Sequence, residues 1–219
     1  MTKVLVFDFD GVIVRRSEFF KRDAWASVFS SYGDRYKSFL QDTLQKFGGG
    51  RGGDRYDILK KMYLALGERG EDMLGLIEKG AKVFDTYVQS HIREAGILDE
   101  DRAMLQRLSG EKHLYLNSAT PVEALIHSAK TLGIDGYFVG MLGRPNSKIE
   151  NFKYIVEKEG VEPSEILFVG DAESDYKAAQ EFGCAFVGLA NDWNKWKGED
   201  ARFPIVRSLA ELRSFDIVL

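Results

Sequence analysis

Two aspartates stand two residues apart in Asp8-Phe9-Asp10-Gly11-Val12, directly after the apolar run Val4-Leu5-Val6-Phe7. The run predicts a buried strand, because a short apolar stretch bounded by a turn residue favours strand over helix. Both carboxylates then fall where the strand stops and Gly11 lets the chain turn. Carboxylates this close repel each other unless a cation shares them or one takes a proton. A hard ion with oxygen ligands, Mg2+ above all, is the natural partner. An aspartate bound to such an ion can act as a nucleophile toward phosphorus. The plain alternative is a solvated turn, so the pair by itself is a weak signal.

Three further segments carry groups of the same kind. The apolar run Ile166-Leu167-Phe168-Val169 ends in Gly170-Asp171, with Asp175 four residues on. Asp171 could complete an oxygen cage around a metal. Asp175, one turn into the following helix, could accept from a metal-bound water or orient a basic residue. Glu173 is either another outer ligand or a favourable charge in the first helical turn. Asn117-Ser118-Ala119-Thr120 follows the strand-like Leu114-Tyr115-Leu116. A strand-end hydroxyl beside the N-H groups of a helix start can bind an anion, and the same hydroxyl can simply cap the helix. Several converging acids need a cation, and Gly143-Arg144-Pro145-Asn146-Ser147-Lys148 offers two. Lys148 opens a predicted helix and could reach a phosphoryl oxygen while pairing with Asp8 or Asp175. Arg144 is its competitor.

Five apolar runs predict core strands: residues 4–7, 114–117, 137–139, 166–169 and 185–187. Helical patterns between the later ones cover residues 120–132, 148–159 and 173–182, each stopped by a glycine. Strands alternating with helices predict an α/β fold with a parallel sheet. Ligands of such sheets bind beyond the carboxyl ends of the strands, where the acids fall. Residues 15–93 break the alternation. They show helical periodicity, as in Phe19-Phe20…Trp25…Phe29 and Ile58-Leu59…Met62-Tyr63…Leu66. A helical insertion there suits a lid that excludes water and chooses substrate, or is an ordinary subdomain without such a role. Within it, Gly48-Gly49-Gly50-Arg51-Gly52-Gly53 cannot continue a helix cheaply. Arg51 is the first candidate for touching an anionic substrate group and Arg55 the second, if the segment is more than a flexible connector.

The 219 residues suit one large domain or a core with a small second domain. The net charge of -4 argues against a nucleic-acid surface, which needs a basic excess. No apolar run approaches a membrane span. The strand begins so near Met1 that no signal peptide is expected. The single Cys184 excludes an internal disulfide and suits a reducing compartment, so a cytoplasmic location is expected. Cys184 lies in an apolar stretch and reads as a buried structural thiol. Asn191-Asp192-Trp193-Asn194-Lys195-Trp196 reads as a surface loop whose tryptophans pack.

In this order the four segments (DxDGV, a strand-end Ser/Thr, a lysine, then GDxxxD) resemble the haloacid-dehalogenase superfamily of phosphotransferases. The resemblance covers nearly the whole chain. The insertion after the first motif is similar to the helical cap of the subgroup containing phosphoglycolate phosphatase and β-phosphoglucomutase. It implies a Rossmann-like parallel-sheet core, residues 1–14 and 94–219, with an inserted α-helical cap, residues 15–93. By the same resemblance Asp8 is the nucleophile, and Asp10 protonates the leaving group and then activates water. Mg2+ would be held by Asp8, the main-chain carbonyl of Asp10, and Asp171, with Asp175 supporting the metal or the lysine. Ser118, Ala119 and Lys148 would bind the phosphoryl group. Many relatives carry Lys-Pro in the third segment, whereas here Pro145 follows Arg144 and Ile149 follows Lys148; Lys148 is preferred because it begins the helix. The expected activity is a Mg2+-dependent phosphatase acting on a small phosphorylated metabolite, as a monomer or homodimer. A phosphomutase or a non-catalytic binding protein on the same fold are the alternatives.

Overall fold

The computed structural model describes residues 2–47, 55–70, 72–194, 196 and 202–214. The chain forms two compact units, one of Met1–Glu18 with Ala95–Leu219 and the other of Phe19–Glu94.

The first unit is built on a parallel sheet of six strands among the described residues, in the order β3-β2-β1-β4-β5-β6. These are β1 (Val4–Phe7), β2 (His113–Pro121), β3 (Gly140–Arg144), β4 (Ile166–Gly170), β5 (Ala185–Leu189) and β6 (Ile205–Val206). β1 is central because all four of its residues are apolar and all are buried, as a strand covered on both faces requires. It pairs in parallel with β2 on one side and β4 on the other. The chain first winds outward from β1 through β2 to β3, then returns to β1's other side as β4. That reversal is the topological switch point of the sheet.

Among the described residues four α-helices accompany this sheet: α5 (Asp99–Ser109), α6 (Val122–Thr131), α7 (Lys148–Glu159) and α8 (Glu173–Phe182). Strand side chains alternate between faces. Val4 and Val6 therefore join Tyr115, Ile166 and Phe168 against Phe152 and Ile155 of α7 and Ala179 of α8. α7 and α8 end at Gly160 and Gly183, both left-handed, as predicted from those glycines.

The structure corrects three sequence expectations and adds two elements. The strand at 137–139 instead runs Gly140–Arg144. Gly140 and Gly143 look like strand breakers, but each permits a close approach. A Cβ on Gly140 would lie 2.5 Å from the Tyr115 ring, and one on Gly143 would lie 2.4 Å from the Thr120 carbonyl. The strand at 114–117 extends to Pro121, and the helix at 120–132 starts only at Val122. Thr120 precedes a proline, which disfavours helical backbone there, so Thr120 stays extended. α5 and β6 were not anticipated, since α5 is highly charged and β6 has two residues.

The second unit contains α2 (Arg35–Phe47), α3 (Arg55–Ala65), α4 (Met73–Ala95) and most of α1 (Ser17–Phe29). Its core is aromatic: Trp25 packs on Phe84 with centroids 4.4 Å apart, and Phe29 meets Tyr63 edge-on at 5.4 Å. No helix among the described residues is long and apolar enough to cross a membrane. Cys184 is partly buried beside the sheet core, and burial pushes its thiol up to about 12.

The Gly140 contact predicts that Gly140→Ala lowers stability by roughly 1–3 kcal/mol, the usual effect of overpacking a filled core. Urea denaturation measures it; an unchanged midpoint would mean that the Tyr115 ring moves aside without penalty.

Candidate active site

Asp8 and Asp171 follow directly from β1 and β4, the neighbouring strands at the switch point. The Asp8 amide continues the ladder by donating to the Val169 carbonyl at 2.9 Å. One Asp8 oxygen, Oδ1, accepts from the Phe9 amide at 2.8 Å. Gly11 then turns the chain with φ of +75°, a left-handed conformation that favours glycine. Space requires glycine there as well, since a Cβ would lie 1.9 Å from Asp171 Oδ2. Asp8, Asp10, Asp171 and Asp175 are all buried.

Lys148 supplies the countercharge. Its Nζ lies 3.1 Å from Asp8 Oδ2 and 2.6 Å from Asp175 Oδ1. A lysine at the first position of a helix opposes the helix dipole, so its place there is explained by these acids rather than by local propensity. The helix start is fixed independently by a capping box. Ser147 Oγ accepts from the Glu150 amide at 3.2 Å, and Glu150 accepts from the Ser147 amide at 2.7 Å. Asn117 pins the same turn to β2. Its Nδ2 donates to the Lys148 carbonyl at 3.0 Å, while its Oδ1 accepts from Asn151 at 2.9 Å.

Asp175 is turned toward the lysine and its own loop: Oδ2 accepts from the Asp171 and Ala172 amides, each at 3.2 Å. Asp10 faces β2, where the Thr120 hydroxyl donates to its Oδ2 at 2.7 Å. Ser118 is buried, and its Oγ accepts from the Thr120 amide at 3.2 Å. The irregularity of β2 between Asn117 and Pro121 is where Ser118, Ala119 and Thr120 sit.

Other candidates are engaged elsewhere. Arg144 ends β3, and its charge acts on Glu150. Glu173 pairs with Arg202 at the surface, 2.6 Å apart. Arg55 pairs with Asp85 and lies over the Phe84 ring. Arg51 lies outside the described residues. Asn117 was read from the sequence only as a neighbour of Ser118, and Thr120 as a helix start or cap. The i, i+2 spacing of Ser118 and Thr120 would put both on one face of an extended segment, the signal that a helix start at Thr120 concealed. Asn191 and Asn194, which hold the Asp171 loop, were passed over as surface loop. Their only signal was a polar run just after a core strand.

The charge balance is strained. Burial pushes Asp8 up to about 7; Lys148 opposes the shift, and Asp175 and Asp10 add to it. Burial likewise pushes Asp171 up to about 8, helped by Asp8 and Asp175 and opposed by the Asn191 hydrogen bond. Burial disfavours the Lys148 charge, but Asp175 and Asp8 outweigh it and raise that ammonium above its ordinary value. One oxygen from each of Asp8, Asp171 and Asp175 lies within 4.8 Å of the others. A buried all-oxygen set with more negative charge than one lysine balances fits a hard divalent cation.

The haloacid dehalogenase-like hydrolase profile matches residues 2–183, and the chain belongs to that family. A phosphoglycolate phosphatase of Vibrio vulnificus (strain YJ016) is 38% identical over 96 residues, 40% of this chain and 40% of that protein. The matched stretch thus spans about two fifths of that relative's length. Among solved structures, a predicted phosphoglycolate phosphatase from Haemophilus somnus 129pt superposes with a TM-score of 0.73 at 23% identity, over 97% of each chain. A mutant CbbY from Rhodobacter sphaeroides in complex with xylulose-(1,5)bisphosphate gives 0.69 at 14% identity, over 97% of this chain and 96% of the other. At these identities the two structures speak for the fold alone.

The raised acids predict a pH dependence. Both carboxyls hold their protons more tightly in the fold than an ordinary aspartate does, with its value of 3.8. Their contribution is therefore complete below that value and is lost as pH rises through about 7 and about 8. In chelator, Tm should fall from about pH 5 to about pH 8.5, and Mg2+ should raise Tm most at the upper end, where no proton competes. Calorimetry at fixed ionic strength checks this; a metal-free Tm that climbs across the range would contradict it.

Proposed function

We propose that this protein is a Mg2+-dependent phosphatase that hydrolyses a small phosphorylated metabolite through an aspartyl-phosphate on Asp8. The observation that carries the reading is the partly buried Lys148 ammonium held between Asp8 and Asp175 at the switch point of the sheet. Membership of a hydrolase family supports it, as does the similarity to phosphoglycolate phosphatases. A phosphoglycolate-like or sugar phosphate is the first substrate class.

Phosphoryl transfer asks mainly for positioning and charge neutralisation. In this reading the Lys148 ammonium, the Ser118 hydroxyl and the Ala119 amide bind the phosphoryl oxygens. An Asp8 oxygen attacks phosphorus as the bond to the substrate oxygen breaks. Asp10 gives that leaving oxygen a proton. The Thr120 hydroxyl donates to Oδ2 of Asp10 and so orients that carboxyl. Asp10 then takes a proton from the water that attacks the aspartyl-phosphate, which frees phosphate and restores Asp8. Asp8, Asp171 and the Asp10 main-chain carbonyl are the groups to hold Mg2+, which when bound neutralises charge on the phosphoryl oxygens. Asp175 keeps Lys148 in place from behind. The helical unit Phe19–Glu94 is assigned the role of cap and substrate selector, with Arg51 as its first contact to an anionic group.

The test is phosphate release from a panel of phosphorylated metabolites, with Mg2+ and with chelator. Asp8→Asn should reduce release to background and abolish trapping of a phospho-enzyme; residual turnover near wild type would remove Asp8 from the reaction. Asp10→Asn should slow turnover by about 10^2- to 10^4-fold, the usual contribution of a general acid-base group, with the melting curve little changed. A wild-type rate in that variant would rule out the proton-transfer role. Phosphoryl groups returned to product rather than released to water would mark a phosphomutase instead.

A further inference from the structure

The segment after β5 closes over Asp171 through two carboxamides. Asn191 Nδ2 donates to Asp171 Oδ2 at 2.7 Å and to the Gly11 carbonyl at 3.1 Å. Asn191 Oδ1 accepts from the Trp193 and Asn194 amides, each at 2.9 Å. Asn194 Nδ2 donates to the main-chain carbonyls of Asp171 at 2.7 Å and Leu189 at 2.9 Å. Asn194 Oδ1 accepts from the amides of Asn191 at 3.2 Å and Trp196 at 3.1 Å.

This pattern fixes which way the Asn191 amide faces. Its oxygen is taken by two backbone donors, so its NH2 must point at Asp171 and Gly11. An aspartate there would set a carboxylate against another carboxylate and a carbonyl. The loop thus delivers one neutral double donor to two acceptors that belong to different strand ends. Asp171 follows β4, and Gly11 lies in the turn after β1, three residues from Asp8. Gly11 lacks a side chain where Asp171 Oδ2 approaches, and Asn191 occupies the hydrogen-bonding position beside it.

We propose that Asn191 is a positioning residue. By binding Asp171 Oδ2 and the Gly11 carbonyl together, it fixes the Asp171 carboxylate relative to Asp8 for a divalent cation. Asn194 holds the main chain of the same loop. This rests on the metal-dependent reading above, and it assigns a function to a segment that has no catalytic group of its own. Partners that orient a ligating carboxylate typically change metal affinity by about 10- to 100-fold when removed.

The test measures Mn2+ binding to the full chain by loss of the free-ion EPR signal, for wild type, Asn191→Ala, Asn191→Ser and Asp171→Asn. Serine keeps a short acceptor for the loop amides but cannot reach Asp171, which separates loop folding from carboxylate orientation. The expected result is binding weakened by about 10- to 100-fold in both Asn191 variants. Melting in chelator should stay near wild type for Asn191→Ser, and saturating Mg2+ should restore its kcat. Wild-type Mn2+ affinity in Asn191→Ser would overturn the positioning role while leaving the metal site standing. Failure of wild type to bind Mn2+ more tightly than Asp171→Asn would overturn the metal-dependent reading itself, and this proposal with it.

Discussion

The concentration of negative charge at the carboxyl ends of β1 and β4 is the constraint on which the rest of this structure depends. Among the described residues, four buried aspartates gather around one partly buried lysine, Lys148. Each surrounding device either neutralises one of these acids or fixes its direction: a hydroxyl on Asp10, two amides on Asp175, a carboxamide on Asp171. Burying so many like charges is unfavourable for folding alone. Such conflicts are expected where function, and not stability, chooses the residue.

The sheet answers this constraint through topology rather than through any one strong contact. β1 and β4 are neighbours only because the chain reverses its winding between β3 and β4. That reversal brings together acids more than 160 positions apart in sequence. The lysine arrives from α7, whose first turn is tied to β2 by Asn117 and Asn151. Three strands and two helices, α7 and α8, thus determine the distances among five charged groups. Backbone ladders and capped helix ends hold positions more closely than loops do.

Much of this was legible in the residue order. Val4–Phe7 is uniformly apolar, and Gly160 and Gly183 stop their helices, so these elements read directly. The misread elements turn on residues whose most obvious local meaning was not the one that prevailed. Gly140 and Gly143 signal turns but serve close approach inside β3. Thr120 signals a helix start but is held extended and hydrogen-bonds Asp10. Asn191 and Asn194 carry no periodic or motif signal, because their meaning lies in the direction of an amide, which spacing does not encode. The identity of the acids and of Lys148 could be read because charge has to be balanced. The partners that orient them could not, because many polar residues would serve equally well in a one-dimensional text.

β1 has a further consequence for the life of the chain as it is made. Val4 pairs with His113 on one side and Ile166 on the other. Of the six strands β1 comes first in the sequence, yet it gains its second edge only from the fourth. Its apolar run has no native edge until more than a hundred residues have followed, and no second edge until β4 is complete. Contacts this distant in sequence form slowly, and unpaired apolar strands invite association. The helical unit Phe19–Glu94 is synthesised wholly within that interval, and a chaperone that shields β1 would have its window there. Asp8 and Asp171 meet only when β4 pairs with β1, so a chain stalled before β4 carries Asp8 but never the site.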